Sequence, residues 1–212
     1  MTIDLARWET TLRRLWPKAN THIPGLLEAM IAQAPTLFAR FGLDTMSVCN
    51  AFGEFGEECG CGLEVDENLN YRANVLHTQW PMHFTMEQAI AMQHQPRLIA
   101  DQAYNGRMGN RLGTDDGWNY RGRGPAQTTG ADAYRTLGQK MGLDLIAKPE
   151  LINTSAYFLL AGLTDFVEIC GCLPFAQRDD EVNETRHLNG GLIGYHQRQV
   201  AIHMWKQNMG IA

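Results

Sequence analysis

The 212-residue sequence predicts an all-α, mainly helical fold interrupted by one large glycine-rich loop. Three observations carry that prediction. Apolar residues recur at helical rather than alternating spacing, helix-capping signals precede the periodic runs, and Pro or Gly punctuates their ends. Composition is ordinarily globular, at 44% hydrophobic and 19% charged residues, so a disordered tail or a coiled coil is excluded. No internal repeat or low-complexity linker divides the chain, and 1–212 reads as one domain.

Leu5, Trp8, Leu12 and Leu15 form one stripe, ended by Pro17. A second helix is expected over 21–34, entered through Pro24, and a third over 35–41, with Pro35 as the break between them. Asp44 is the predicted N-cap of a helix over 45–59, whose inner side carries Met46, Cys49, Phe52, Phe55 and Cys59. Thr85 and Gln88 make a capping box opening a helix that runs to the Gln95-Pro96 break. Residues 105–130 hold seven glycines among Arg, Asn, Asp and aromatic residues, too many for a helix, with room for a short β-hairpin around 118–123. Helices are expected again over 131–141, 155–169, 179–187 and 193–207.

Charge and cysteine usage exclude several function classes. Net charge is −5, so the broad basic footprint of a nucleic-acid binder is missing, and no apolar run approaches the length of a membrane span. Fourteen Arg against four Lys favours planar, fixed recognition over a diffuse field. The N-terminal residues have no apolar core of a signal peptide, so synthesis in the cytoplasm is expected. Five cysteines include the pairs Cys59/Cys61 and Cys170/Cys172. One-residue spacing is short for structural zinc, so no metal is expected; small buried thiols fit better, with a redox pair conceivable in an oxidising compartment.

Candidate chemistry concentrates in two segments. Glu54, Glu57 and Glu58 crowd the end of an apolar helix, and Glu54 and Glu58, four apart, share a face where like charges repel. The helix C-terminus and burial also disfavour ionisation, as a general acid at neutral pH requires. A solvated acidic helix end explains the same residues. Glu67 follows nine residues later in E-N-L-N-Y, where it could face Glu58 across a groove as the second carboxylate of a glycoside hydrolase. Asn68 and Asn70 fit Asx turns equally well.

The loop 116–130, D-G-W-N-Y-R-G-R-G-P-A-Q-T-T-G, suits a sugar site. Trp118 and Tyr120 offer flat faces for pyranose stacking, and Gln127, Thr128 and Thr129 offer hydroxyl and amide hydrogen bonds. Arg121 and Arg123 could hold carboxylates, or bind phosphate or RNA. The loop lacks the lysine end of a phosphate loop, however, and six Arg against four Asp over 97–135 is a small basic excess. Asn189 and Arg198 flank a last polar turn, which a plain helix cap explains as well.

These motifs resemble the family 19 glycoside hydrolases, the plant-type chitinases and the similar bacterial and phage lysins. The resemblance rests on E-E-C-G-C-G, E-N-L-N-Y, Pro96, Ile99-Ala100, Y-N-G-R-M-G-N, the 116–130 block, P-E-L at 149–151 and L-N-G-G, colinear over 45–205. It implies a lysozyme-like, two-lobed helical domain on which residues 1–44 pack, with no cofactor. It implies Glu58 as general acid, Glu67 as the base activating water, and Thr129 as the residue positioning that water. Gln127, Asn189 and Arg198 would line the cleft with Trp118 and Tyr120. Inversion would leave about 6.5–9.5 Å between the carboxylates. Glu57 stands where the family usually has His, Cys61 interrupts a common Gly-Gly, and the plant disulfide pattern is not evident. The short interval between Glu58 and Glu67 resembles the lysin branch. The expected activity is therefore that of a phage or prophage endolysin, a monomer cutting peptidoglycan glycan strands after release to the wall. Chitin oligomers are the alternative substrate, and a non-catalytic glycan-binding protein is the alternative class. No nucleic acid or membrane partner is expected.

Overall fold

A computed structural model describes residues 2–211. The chain is predominantly helical, as the sequence predicts. Helix α1 (Leu5–Leu15) starts where the Asp4 carboxylate accepts the Arg7 N–H at 3.0 Å, and it buries Trp8 and Leu12. A 3₁₀ turn at Ala19–Thr21 precedes α2 (Leu26–Arg40), which begins after Gly25. The expected break at Pro35 does not occur: α2 runs through it. An interior proline costs roughly 3 kcal/mol, and the stripe Leu26, Met30, Ala34, Leu37 and Phe38, buried on both sides of the proline, offsets it.

Helix α3 (Thr45–Cys59) carries the expected cap as a full box: Ser47 N–H donates to Asp44 Oδ1 at 2.8 Å, and Asp44 N–H donates to Ser47 Oγ at 2.9 Å. It is the central helix. Phe52 meets Trp8, Trp16, Phe38, Phe55 and Trp205 at centroid distances of 5.0–6.2 Å. The segment before α3 thus contributes directly to the main apolar cluster, through Trp8, Leu12, Trp16, Leu26, Met30 and Phe38. A second cluster, around Leu69, Leu76, Phe84, Ile99 and Ala103, gathers α4 (Ala73–Gln79), α5 (Met86–Met92) and α6 (Pro96–Tyr104).

The glycine-rich segment contains one helical turn, α7 (Asp116–Asn119), where a hairpin was expected. Side chains take over the donors that a ladder would use. Gly117 N–H goes to Asn105 Oδ1, Trp118 N–H to Asp101 Oδ1, and Arg111 N–H to Asp116 Oδ2. Extended pairing comes later, as isolated bridges Asp66–Arg123 and Arg123–Thr128, and no strand forms among the described residues. The chain then runs through α8 (Ala131–Met141), α9 (Phe158–Thr164) with a π turn at Asp165–Ile169, and α10 (Leu173–Ala176). It ends with α11 (Glu181–Asn189) and α12 (Tyr195–Met209), the latter packed along α3.

Candidate active site

Glu58 lies in the last turn of α3, which Gly60 ends at a left-handed φ of 54°. The chain turns through Gly60–Gly62 and returns in extended form, bringing Glu67 to the glycine-rich loop. Two backbone bonds fix it there: Glu67 N–H donates to Gly122 O at 2.9 Å, and Gly122 N–H donates to Glu67 Oε2 at 3.2 Å. The Tyr104 hydroxyl of α6 donates to Glu67 Oε1 at 2.5 Å. Burial and the adjoining Glu67 push the Tyr104 hydroxyl up, so it stays protonated and acts as a donor. Glu58 and Glu67 line one groove of about 580 Å³, together with His22, Asp66, Tyr71 and Gln127.

Behind Glu58 the sequence expectation of a repelling pair is corrected. Arg198, from α12, stands between the two glutamates. Its Nη1 donates to Glu54 Oε2 and its Nη2 to Glu58 Oε1, both at 2.5 Å. Thr185 Oγ1 donates to Glu54 Oε1 at 2.9 Å, so both oxygens of this fully buried carboxylate accept a hydrogen bond. Burial pushes the Glu54 carboxyl up, while Arg198 and Thr185 pull it back. Gly53 makes the arrangement possible, because a Cβ there would lie 2.4 Å from Ile202 Cγ1 and 2.7 Å from Ile202 Cα. The nearby Glu184 is fully buried with neither oxygen hydrogen-bonded, and burial pushes its carboxyl up to about 10.

The loop places its candidate residues unequally. Gln127, at a left-handed φ of 50°, faces the groove and donates to Glu64 O at 2.9 Å. The Thr129 hydroxyl donates to Gln127 O at 2.8 Å, which leaves its oxygen free to accept. Gly122 separates it from the base candidate: a Cβ at Gly122 would sit 3.3 Å from both Thr129 Oγ1 and Glu67 Cβ. Asp66 Oδ1 accepts from Arg121 Nη2 and Arg123 Nε at 2.8 and 3.0 Å, so these arginines tie the loop to the 60s segment.

Three residues expected to meet the sugar lie away from this groove, and Arg198, expected to line the cleft, is buried behind Glu58. Tyr120 is 7% exposed, packs on Tyr134 and donates its hydroxyl to Ile146 O, so it offers no stacking face. Trp118 lies outside the groove lining, with the Arg121 guanidinium 3.9 Å from its ring centroid, so that face is taken. Asn189 is also outside the lining and donates to Ile193 O across the turn after α11, the cap role open to it from sequence. Tyr104 joins the site with little sequence signal, only an aromatic followed by a turn in Y-N-G-R-M-G-N. The pairing of Glu54 with Arg198 and Thr185 carries no local sequence signal.

Among the described residues, no cluster of three or more His, Cys, Asp or Glu is arranged to hold a metal ion. No helix there is long and apolar enough to cross a membrane. All five cysteines are free; Cys49, Cys59 and Cys172 are buried.

No family model matches the chain. A Haemophilus influenzae protein described as a glycosyl hydrolase family 19 domain-containing protein is 30% identical over 192 residues, covering 90% of each chain. Chitinase 8 of Oryza sativa subsp. japonica is 49% identical over 37 residues, which is 18% of this chain and 14% of that one. Among solved structures, chitinase C from Streptomyces griseus HUT6037 superposes with a TM-score of 0.62 at 19% identity, over 95% of this chain and 91% of that one. A bacterial family 19 chitinase gives a TM-score of 0.58 at 20% identity, over 96% and 93%.

Proposed function

The chain belongs to glycoside hydrolase family 19, and from that premise we propose that it is an endolysin, hydrolysing the β-1,4 bonds of the peptidoglycan glycan strand. The observation that carries the chemistry is the shared groove of Glu58 and Glu67, one from a helix end and one pinned by backbone and Tyr104 hydrogen bonds. In this mechanism Glu58 gives its proton to the departing glycosidic oxygen. Glu67, ionised, removes a proton from the attacking water, which donates its other hydrogen to the Thr129 oxygen. Attack from the face opposite the leaving group inverts the anomeric centre. Gln127, Tyr71 and His22 meet the sugar along the groove. The enzyme works at the cell wall, after release from the cytoplasm.

The nine-position step from Glu58 to Glu67, the short lysin-like interval, favours peptidoglycan. The 37-residue similarity to a rice chitinase favours the second reading, a chitinase. Parallel digestion of purified sacculi and chitin oligomers separates them. Faster release of reducing ends from sacculi, with no anhydro sugars by mass spectrometry, is expected; preferential turnover of chitin overturns the endolysin assignment. Glu58→Gln is expected to reduce turnover by about 10²–10⁴-fold, whereas a glycan-binding protein would bind its polymer unchanged.

A further inference from the structure

Glu54 takes no part in the groove, yet it is fully buried and hydrogen-bonded on both oxygens, directly behind the proposed acid. We propose that Glu54 is a positioning residue: by engaging Arg198 it absorbs that cation's charge, so that Arg198 orients Glu58 without forcing it to ionise. A bare guanidinium 2.5 Å from Glu58 would favour the carboxylate, the wrong form for a proton donor. The fork of Arg198 resolves this conflict. One nitrogen serves Glu54 and another serves Glu58, so the cation already has an anionic partner when Glu58 is protonated.

The surroundings leave this pairing to Glu54. Glu184 of α11, the nearest other carboxyl behind it, is pushed up to about 10 by burial and is therefore neutral. Lys206, one helical stretch along α12, is held by Asp179 and Glu181. Asp165 of the π turn accepts from Thr128 at 3.1 Å and from the Cys170 thiol at 3.2 Å, and burial pushes it up. The Cys172 thiol, also near Glu54, is raised and uncharged. Toward the groove, Glu58 shares the opening with Glu64, Glu67 and His22, and Glu57 borders the Gly194 turn on the α12 side. None of these bonds to Arg198. Thr185 completes the assembly by holding the second Glu54 oxygen, which orients the carboxylate toward the arginine.

The proposal rests on Glu58 being the acid, and its test separates the two ideas. Glu54→Gln keeps the shape and removes the charge. With sacculi or chitin oligomers, whichever the wild type turns over, the limb of kcat/KM at which the acid loses its proton is expected to move about one unit toward lower pH. KM stays within about twofold, because Glu54 touches no substrate. The double variant Glu54→Gln with Arg198→Gln, lacking both charges, returns the limb toward its wild-type position. A folded Glu54→Gln enzyme with an unmoved limb, or a double variant that behaves like the single one, overturns the proposal. Carbon-13 NMR of glutamate-labelled, substrate-free protein supplies a readout independent of turnover. Followed in the wild type and in Glu54→Gln, the Glu58 carboxyl signal should titrate at lower pH in the variant, where Arg198 has lost its other anionic partner; an unmoved signal overturns the proposal. If the wild type degrades neither polymer, the functional reading fails, while the carbon titration still decides the role of Glu54.

Discussion

Replacing Gly53 by Ala tests how the acid side of the groove is assembled. Helix propensity alone says the change stabilises α3 by about 1 kcal/mol. The structure says otherwise. The new Cβ would meet Ile202 Cγ1 at 2.4 Å and Ile202 N and Cα at 2.7 Å, and a rotamer change cannot clear backbone atoms. Restoring ordinary contact requires α12 to retreat by roughly 1 Å, at an overpacking cost of about 1–3 kcal/mol. Arg198 lies one turn before Ile202 on the same helix, so the retreat also lengthens its contacts to Glu54 and Glu58. Loosening that buried ion pair adds to the loss, since stripping a partner from such a pair costs about 3–5 kcal/mol. With part of that cost realised, net destabilisation of about 1–3 kcal/mol is expected, which for a chain of this size lowers Tm by roughly 3–10 °C. A displacement near 1 Å at the proton donor is also expected to lower kcat about 10²-fold. Thermal unfolding followed by circular dichroism, with turnover of the preferred glycan, reads both. A Gly53→Ala protein as stable as the wild type or more so, with unchanged kcat, refutes the argument that this glycine sets the helix separation.

Two other outcomes follow from the same geometry. Gly122→Ala places a methyl 2.8 Å from Gln127 Oε1 and between Glu67 and Thr129. The amide end can swing aside, so Tm should stay nearly unchanged while kcat falls about tenfold or more; comparing melting with initial rates checks this, and an unimpaired enzyme places the reacting water elsewhere. Glu184, pushed up to about 10 against an ordinary value of 4.5, holds its proton in the folded state where the unfolded chain releases it. Its contribution is fully present below pH 4.5 and is lost as pH rises toward 10, by up to about 1.4 kcal/mol per unit. Glu184→Gln should therefore flatten the decline of denaturant-measured stability between pH 5 and 9, and an unchanged slope contradicts the neutral carboxyl.

What the sequence disclosed divides along the range of the interactions involved. The boundaries of α3 were legible because the Asp44–Ser47 cap and the apolar spacing act within a few residues. Pro35 misled because its local penalty is outweighed by burial against elements far away in the chain. Glu54 and Glu58 misled for the same reason: the cation that reconciles them arrives from 144 and 140 residues away. Tyr104 was hidden behind 37 residues separating it from Glu67.

The glycine-rich loop shows why polar residues there were over-assigned to substrate. A buried irregular segment has no ladder to absorb its backbone N–H groups, so its own side chains must do so. Asp101, Asn105, Asn110 and Asp116 are consumed in this way, accepting from Trp118, Gly117, Ala131 and Arg111. Arg121 and Arg123 are consumed by Asp66, and the two aromatic side chains by Arg121 and the Tyr134 side of the core. Capacity for a glycan or its attacking water remains where a side chain keeps an uncommitted group in the groove, as Gln127 does, or beside Glu67, as Thr129 does. Gln127 bonds inward through its nitrogen and retains its amide oxygen, and Thr129 spends its hydrogen on Gln127 O and retains its lone pairs. Sequence can identify the residue types suited to sugar recognition, but the division between those holding the loop and those left to the substrate is fixed only when the backbone donors have found their acceptors.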